Sequence, residues 1–322
     1  MLRRLIDPEF FEAFASSEAD ETERLPVYGT RDPLLGLVHG EVEERSGRAH
    51  HRLLRYLRQE VLPTTFCVGC GGGTVLNCFT HAVDQLELDV DNMVAVTGIG
   101  CSSWILSPYF KADTLHTTHG RAIAFATGVK VARPDAHVVV VAGDGDLAGI
   151  GGNHLFHAAR RNIGLTVILV NNFIYGMTGG QVAPTTPGDM RTSTTPYGNP
   201  EPPMRITEMI AAAGGDYVAR YTTYHVQQLI RAMKKALTTP GFSFVEIISQ
   251  CPTSYGKFSN ERQASTSLEL YRENSVRIKK AQGMTEEELE GKYVIGTHRE
   301  RTTPEFADRL EQLAQAKMAE ES

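Results

Sequence analysis

VVVVAGDGDLAGIGGNHLFHAARRNIGLTVILVNNFIYGM, from Val138 to Met177, is the stretch whose reading decides the fold. It opens on a β-branched run, Val138–Ala142, and turns through glycines that flank Asp144 and Asp146. A helical pattern near 150–163 follows, then a second apolar run, Thr166–Val170, which ends in Asn171 and Asn172. Valine- and isoleucine-rich runs without polar alternation suit strands buried on both faces, and strand–helix–strand order marks a parallel βαβ unit. Working outward, Met93–Thr97 (MVAVT) and Phe242–Ser249 (FSFVEIIS) read as further strands. Helical patterns lie near 73–86, 120–132, 206–214 and 226–238. Right-handed crossovers then give an α/β fold with a doubly wound, mostly parallel sheet. Ligands of such sheets bind at the carboxyl ends of the strands, so the residues just after each run are the candidates.

Composition narrows the function. A chain of 322 residues with a formal net charge of −6 and no basic stripe is poorly suited to a phosphate backbone, which argues against nucleic acid as a partner. No apolar run approaches the ~18–20 residues that span a bilayer, so no membrane segment is expected. MLRRLIDPEFFEAF lacks the apolar core of a signal peptide, and a cytoplasmic location is expected. Residues 1–60 read as a charged, helical N-terminal extension, 61–258 as the α/β domain, and 259–322 as a charged, helical C-terminal arm. Within the domain, 183–203 holds six prolines and no periodicity, the pattern of a lid, a partner-binding loop or a mobile segment.

Two constellations carry chemistry. Asp144 and Asn172 follow consecutive strands, so both face one crevice. A carboxylate, the Asn172 side-chain carbonyl and the Ile174 main-chain carbonyl are hard oxygen donors of the kind Mg²⁺ takes together with ligand phosphates. The glycines beside Asp144 let backbone N–H groups approach those phosphates. GDG followed 28 residues after Asp144 by Asn172 of an NN pair resembles the thiamine diphosphate motif. The second constellation is Cys67, Cys70, Cys101 and Cys251, one CxxC pair plus two thiols at strand ends. Four such thiolates suit an iron–sulfur cluster or Zn²⁺, and Cys67 with Cys70 alone would suit a redox dithiol. Cys78, inside the apolar pattern TVLNCFTHAV, reads as a core residue.

FCVGCG, GIGCSS, THGRA, GDGD, NNFIYGMTGGQ, APTTP and CPTSYG, in this order, resemble the β subunits of the 2-oxoacid:ferredoxin oxidoreductases. The resemblance implies a thiamine diphosphate-binding (pyrophosphate-type) fold and a [4Fe–4S] cluster on Cys67, Cys70, Cys101 and Cys251. It implies Mg²⁺ on Asp144, Asn172 and Ile174, and thiamine diphosphate against Ile99, Gly100, Cys101, Ser102, His119, Gly145, Asp146, Gly176 and Met177. For His119 the plain alternative is a capping or core histidine, and for Met177 a gap-filling side chain. Trp104, beside CSS, is expected near the substrate. The activity implied is coenzyme A-dependent oxidative decarboxylation of a 2-oxoacid with electrons passing to ferredoxin. 2-Oxoglutarate is favoured by GMTGGQ and APTTP; pyruvate, or a non-redox thiamine diphosphate-dependent decarboxylase or lyase, is the alternative. The carboxylate that activates the cofactor's pyrimidine is expected on a partner α subunit, with assembly as (αβ)₂.

Overall fold

The computed structural model describes residues 51–259 and 261–320; residues 1–50 of the expected extension lie outside the described residues. An eight-stranded sheet organises the chain, built from β1 (Met93–Thr97), β2 (Asp113–His116), β3 (His137–Gly143), β4 (Thr166–Asn171), β7 (Tyr217–Thr222), β8 (Ser243–Ile248), β9 (Ser275–Arg277) and β10 (Tyr293–Glu300). A separate hairpin pairs β5 (Ile174–Tyr175) with β6 (Gln181–Val182). The sheet order is β2-β1-β3-β4-β8-β7-β10-β9, and every pairing in it is parallel except that of β10 with β7.

Strand composition explains the layering. Every residue of β4 and β8 is buried, as is the centre of β3, so helices must cover both faces. On one face lie α1 (Gly72–Leu86) and α5 (Val226–Leu237), whose Phe79, Val83, Leu229 and Met233 meet Ala95, Val139, Ile168 and Val245. On the other lie α2 (Ala122–Ala132), α3 (Gly152–Arg161) and α4 (Ile206–Ala213), whose Ile123, Leu155 and Ile210 meet Val140, Val167 and Phe244. Each fully buried aliphatic or aromatic side chain is worth roughly 1.5–3 kcal/mol, so these two layers dominate the folding energy. Just before α1, Leu53 and Tyr56 are buried in the first layer, and the Arg58 guanidinium donates to the Ser107 and Ala112 carbonyls. From β1 the chain runs outward to β2 and then returns to β3 on the far side of β1. That reversal opens a crevice at the carboxyl ends of β1 and β3, the usual ligand position of a doubly wound sheet.

Past residue 258 the chain does more than form a helical arm. It carries α6 (Ala264–Asn274) and α7 (Phe306–Glu320), but also β9 and β10, which extend the sheet. One polar knot fastens this segment at the far end of the sheet. Asp216 is fully buried, and its carboxylate accepts hydrogen bonds from Asn162 Nδ2 (3.0 Å), Thr303 N (3.0 Å), Thr303 Oγ1 (2.7 Å) and Arg301 Nε (3.2 Å). Removing a buried carboxylate strands its donors, at about 3–5 kcal/mol. Asp216→Ala is therefore expected to lower the melting temperature by roughly 10 °C. Hydrogen exchange should locate the loosening in residues 299–305, and an unchanged exchange pattern there would dismiss the knot as the fastening.

Candidate active site

Five loops end on one edge of the sheet: those after β1, β2, β3, β4 and β8. The turn after β3 is the hub. Asp144 and Asp146 are both buried, and Gly145–Ile150 winds as a short π-helical segment broken by a kink at Gly149, a distortion often found at functional sites. Asp146 ties three loops together. Its Oδ2 accepts the Ile99 N–H at 3.0 Å, and its Oδ1 accepts the Gly120 N–H. His119 Nδ1 stands 2.9 Å from the same Oδ1, yet out of line, and has no hydrogen-bond partner. Gly98 is obligatory in this arrangement: a Cβ there would sit 1.8 Å from Asp146 Oδ2. Burial raises the Asp146 carboxyl pKa, and the Gly120 and Ile99 N–H groups and His119 only partly offset that.

Asp144 is held by the Thr185 hydroxyl, which donates to Oδ2, and by the Gly145 N–H; neither is a cation. Burial pushes its carboxyl up to about 7. A buried carboxylate held only by neutral donors is the setting in which a divalent cation gains most from binding. The loop after β4 faces it. Ile174 N donates to Asn172 Oδ1 (3.3 Å), Phe173 N to Asn171 Oδ1 (3.1 Å), and Phe173 itself is left-handed at φ 63°. The Tyr175 hydroxyl donates to the Gly145 carbonyl at 3.0 Å, with its ring edge-on to His119 at 6.1 Å. A methyl on Gly145 would lie 2.2 Å from that ring.

The cysteines converge on the neighbouring part of this edge. Gly71 N donates to the Gln250 carbonyl (3.1 Å), which docks the CxxC loop beside Cys251. A Cβ at Gly176 would lie 3.5 Å from Cys251 Sγ and 3.7 Å from Asn172 Nδ2, so the cysteine and Asn172 loops share that glycine. The Cys70 thiol is pushed up to about 11, first by burial and then by the charges of Cys251, Cys101 and Cys67. Cys101 is raised by burial and by Cys251 and Cys67. Cys70 and Cys101 thus lie close enough to the other two thiols for those charges to raise them. Cys78 lies fully buried in α1.

Of the other residues singled out from the sequence, Ser102 is buried and Gly100 takes φ 122°, while Ile99, Trp104 and Met177 are each about half exposed. Sequence reasoning missed Thr185, Thr186 and Tyr175 as site residues, although APTTP and NNFIYG contain them. Thr186 Oγ1 donates to the Phe173 carbonyl (2.6 Å) as Thr185 does to Asp144, so the proline-rich loop begins by clamping the turns after both β3 and β4.

Comparison with known proteins accords with this geometry. Residues 98–247 match the family described as thiamine pyrophosphate enzyme, C-terminal TPP binding domain. The 2-oxoglutarate synthase subunit KorB of Methanocaldococcus jannaschii is 53% identical over 263 residues, covering 82% of this chain and 97% of its own. This chain belongs to the 2-oxoacid:ferredoxin oxidoreductase β-subunit family. Among other members, the KorB of Archaeoglobus fulgidus is 44% identical, covering 80% of this chain and 92% of its own. A solved 2-oxoglutarate:ferredoxin oxidoreductase from Magnetococcus marinus, with 2-oxoglutarate, coenzyme A and succinyl-CoA bound, superposes with a TM-score of 0.73 at 33% identity, covering 84% of this chain and 92% of that one. The chain is thus an oxidoreductase subunit with the thiamine diphosphate-enzyme fold expected from its motifs. No helix among the described residues is long and apolar enough to cross a membrane.

The pKa of Asp144 makes a stability prediction. A carboxyl raised from 3.8 to about 7 on folding binds its proton more tightly in the native state. Its stabilising contribution is complete below about pH 4 and is lost as the pH rises through about 7. Cofactor-free protein should therefore lose stability relative to Asp144→Asn across that window, by roughly 4 kcal/mol at most. Denaturant titrations of both proteins at pH 4, 6 and 8 measure it, and parallel pH profiles would contradict it.

Proposed function

We propose that this subunit catalyses the coenzyme A-dependent oxidative decarboxylation of 2-oxoglutarate, yielding succinyl-CoA, CO₂, a proton and two reduced ferredoxins. The observation that carries the reading is the meeting of the Asp144–Asn172 crevice with the four-cysteine loops at Gly176. The substrate follows from relatives named 2-oxoglutarate synthase and from the solved relative's bound 2-oxoglutarate.

Asp144, Asn172 Oδ1 and the Ile174 carbonyl would hold Mg²⁺, and the Gly145–Asp146 turn would receive the diphosphate. His119 Nδ1 has no aligned hydrogen-bond partner, and nothing lies within 4 Å of where a Cβ on Gly100 would sit. Ile99, Gly100, Cys101 and Ser102 would line one side of the thiamine, with His119, Gly176 and Met177 along the other. Bound thiamine diphosphate supplies the nucleophile and electron sink for decarboxylation. Cys67, Cys70, Cys101 and Cys251 would hold a [4Fe–4S] cluster, which accepts electrons one at a time. Tetrahedral zinc would draw its four sulfurs to about 3.8 Å from one another, given Zn–S bonds of about 2.3 Å. A four-iron cluster instead gives each thiolate its own iron and so takes a wider set of four sulfurs.

The chain's own residues do the positioning. Asp146 fixes the Ile99 and Gly120 amides, so the β1 and β2 loops keep a constant spacing around the reacting centre. Cys101 and Ser102 follow in the same turn as Ile99, which keeps the electron path from cofactor to cluster short. Ile99, Trp104 and Met177 present an apolar rim that excludes water once covered. A partner α subunit is the cover we infer, bringing the pyrimidine-activating carboxylate and completing an (αβ)₂ assembly that docks ferredoxin in the cytoplasm.

Anaerobic purification with the partner subunit should give about four iron and four sulfide attributable to this chain, lost in Cys251→Ala. The wild-type complex should reduce ferredoxin with 2-oxoglutarate and coenzyme A, and more slowly with pyruvate. Zinc in place of iron, or ferredoxin-independent decarboxylation, would rule the reading out.

A further inference from the structure

Behind the cation-facing turn lies a charged network that none of the roles above uses. Glu246, in the middle of β8, is only 2% exposed. Its cross-strand neighbour on β7 is Arg220, whose Nε donates to Glu246 Oε2 at 2.8 Å and whose Nη2 donates to Glu208 Oε2 at 2.8 Å. The Thr207 hydroxyl donates to the same Glu246 Oε2. The other oxygen, Oε1, accepts from Asn171 Nδ2 at 2.8 Å. A cavity of about 560 Å³ opens beside Glu246, Arg220, Glu208, Asn171 and Phe173.

We propose that Glu246 is a positioning residue for the cation-binding turn, acting through the orientation of the Asn171 amide; this rests on the Mg²⁺ reading given above. A carboxylate only accepts hydrogen bonds, so Asn171 must turn its NH₂ towards Glu246 and its Oδ1 towards Phe173 N. That second bond, 3.1 Å long, helps hold Phe173 in the left-handed region, where a residue with a Cβ pays about 1–2 kcal/mol. Thr186 holds the Phe173 carbonyl from the opposite side. With Phe173 so fixed, the preceding Asn172 side chain and the following Ile174 carbonyl are both presented to Asp144. The ion pair therefore sets the geometry of two cation ligands without touching the cation.

The direction of the amide makes the proposal testable. In Glu246→Gln, Arg220 and Thr207 keep the glutamine oxygen, which leaves its NH₂ facing Asn171. Asn171 must then flip and oppose its own NH₂ to Phe173 N–H. Mn²⁺ binding by the purified complex, followed by equilibrium dialysis in the presence of thiamine diphosphate, should weaken roughly tenfold, the effect of one lost buried hydrogen bond. The 2-oxoglutarate KM should stay put. Asn171→Asp, which opposes two carboxylates, should weaken Mn²⁺ similarly. The pair Asn171→Asp with Glu246→Gln restores one donor facing one acceptor and should recover most of the affinity. A lowered melting temperature with Mn²⁺ affinity unchanged, or no recovery in the double variant, overturns the proposal. Asp144→Ala separates the two levels: it must abolish Mn²⁺ binding, and if it does not, the cation reading itself fails.

Discussion

A single buried carboxylate holds the catalytic edge in register. Asp146 accepts amide hydrogens from the turns after β1 and β2 while sitting in the turn after β3. Three loops that would otherwise move independently are tied at one point. Burying that charge is costly, which shows in its raised pKa, and the cost is tolerable because two N–H donors converge on it. Gly98 follows from it directly, since no side chain fits beside Asp146 Oδ2. The backbone conformation at Gly120, φ 73°, brings its amide to the same carboxylate.

The parallel sheet makes this convergence available. Because β1, β2, β3, β4 and β8 all run the same way, their following turns meet at one edge, and two kinds of chemistry share it. Oxygen donors collect after β3 and β4, sulfur donors after β1 and β8 and ahead of α1. They meet at Gly176, where an added Cβ would touch both Cys251 Sγ and Asn172 Nδ2. The turn after β4 is bonded on one side to the sheet's own ion pair, through Asn171 and Glu246, and on the other to Thr186.

How much of this could be read from sequence depended on whether the signal was local. Met93–Thr97 was bounded to the residue, because an unbroken apolar run between turns has one physical reading. β7 was not anticipated: YVARYT interrupts its apolar pattern with Arg220, a charge that is buried only because Glu246 and Glu208 neutralise it. β10 was read as part of a helical arm, since its half-exposed residues look polar and its pairing partner lies far away in the chain. Asp144 and the cysteines stood out by type and spacing. Thr185, Thr186 and Glu246 did not, because hydroxyls and a mid-strand carboxylate acquire their roles only from contacts with residues tens of positions away.

The antiparallel placement of β10 has a consequence for how the protein is made. β7 is complete roughly 70 residues, and β8 roughly 45, before the strand that covers the open side of β7. During synthesis at about 5–20 residues per second, the nascent sheet presents the bare backbone of β7 for several seconds. Such an edge is a template for pairing with another chain. β10, once made, covers that backbone and closes the template.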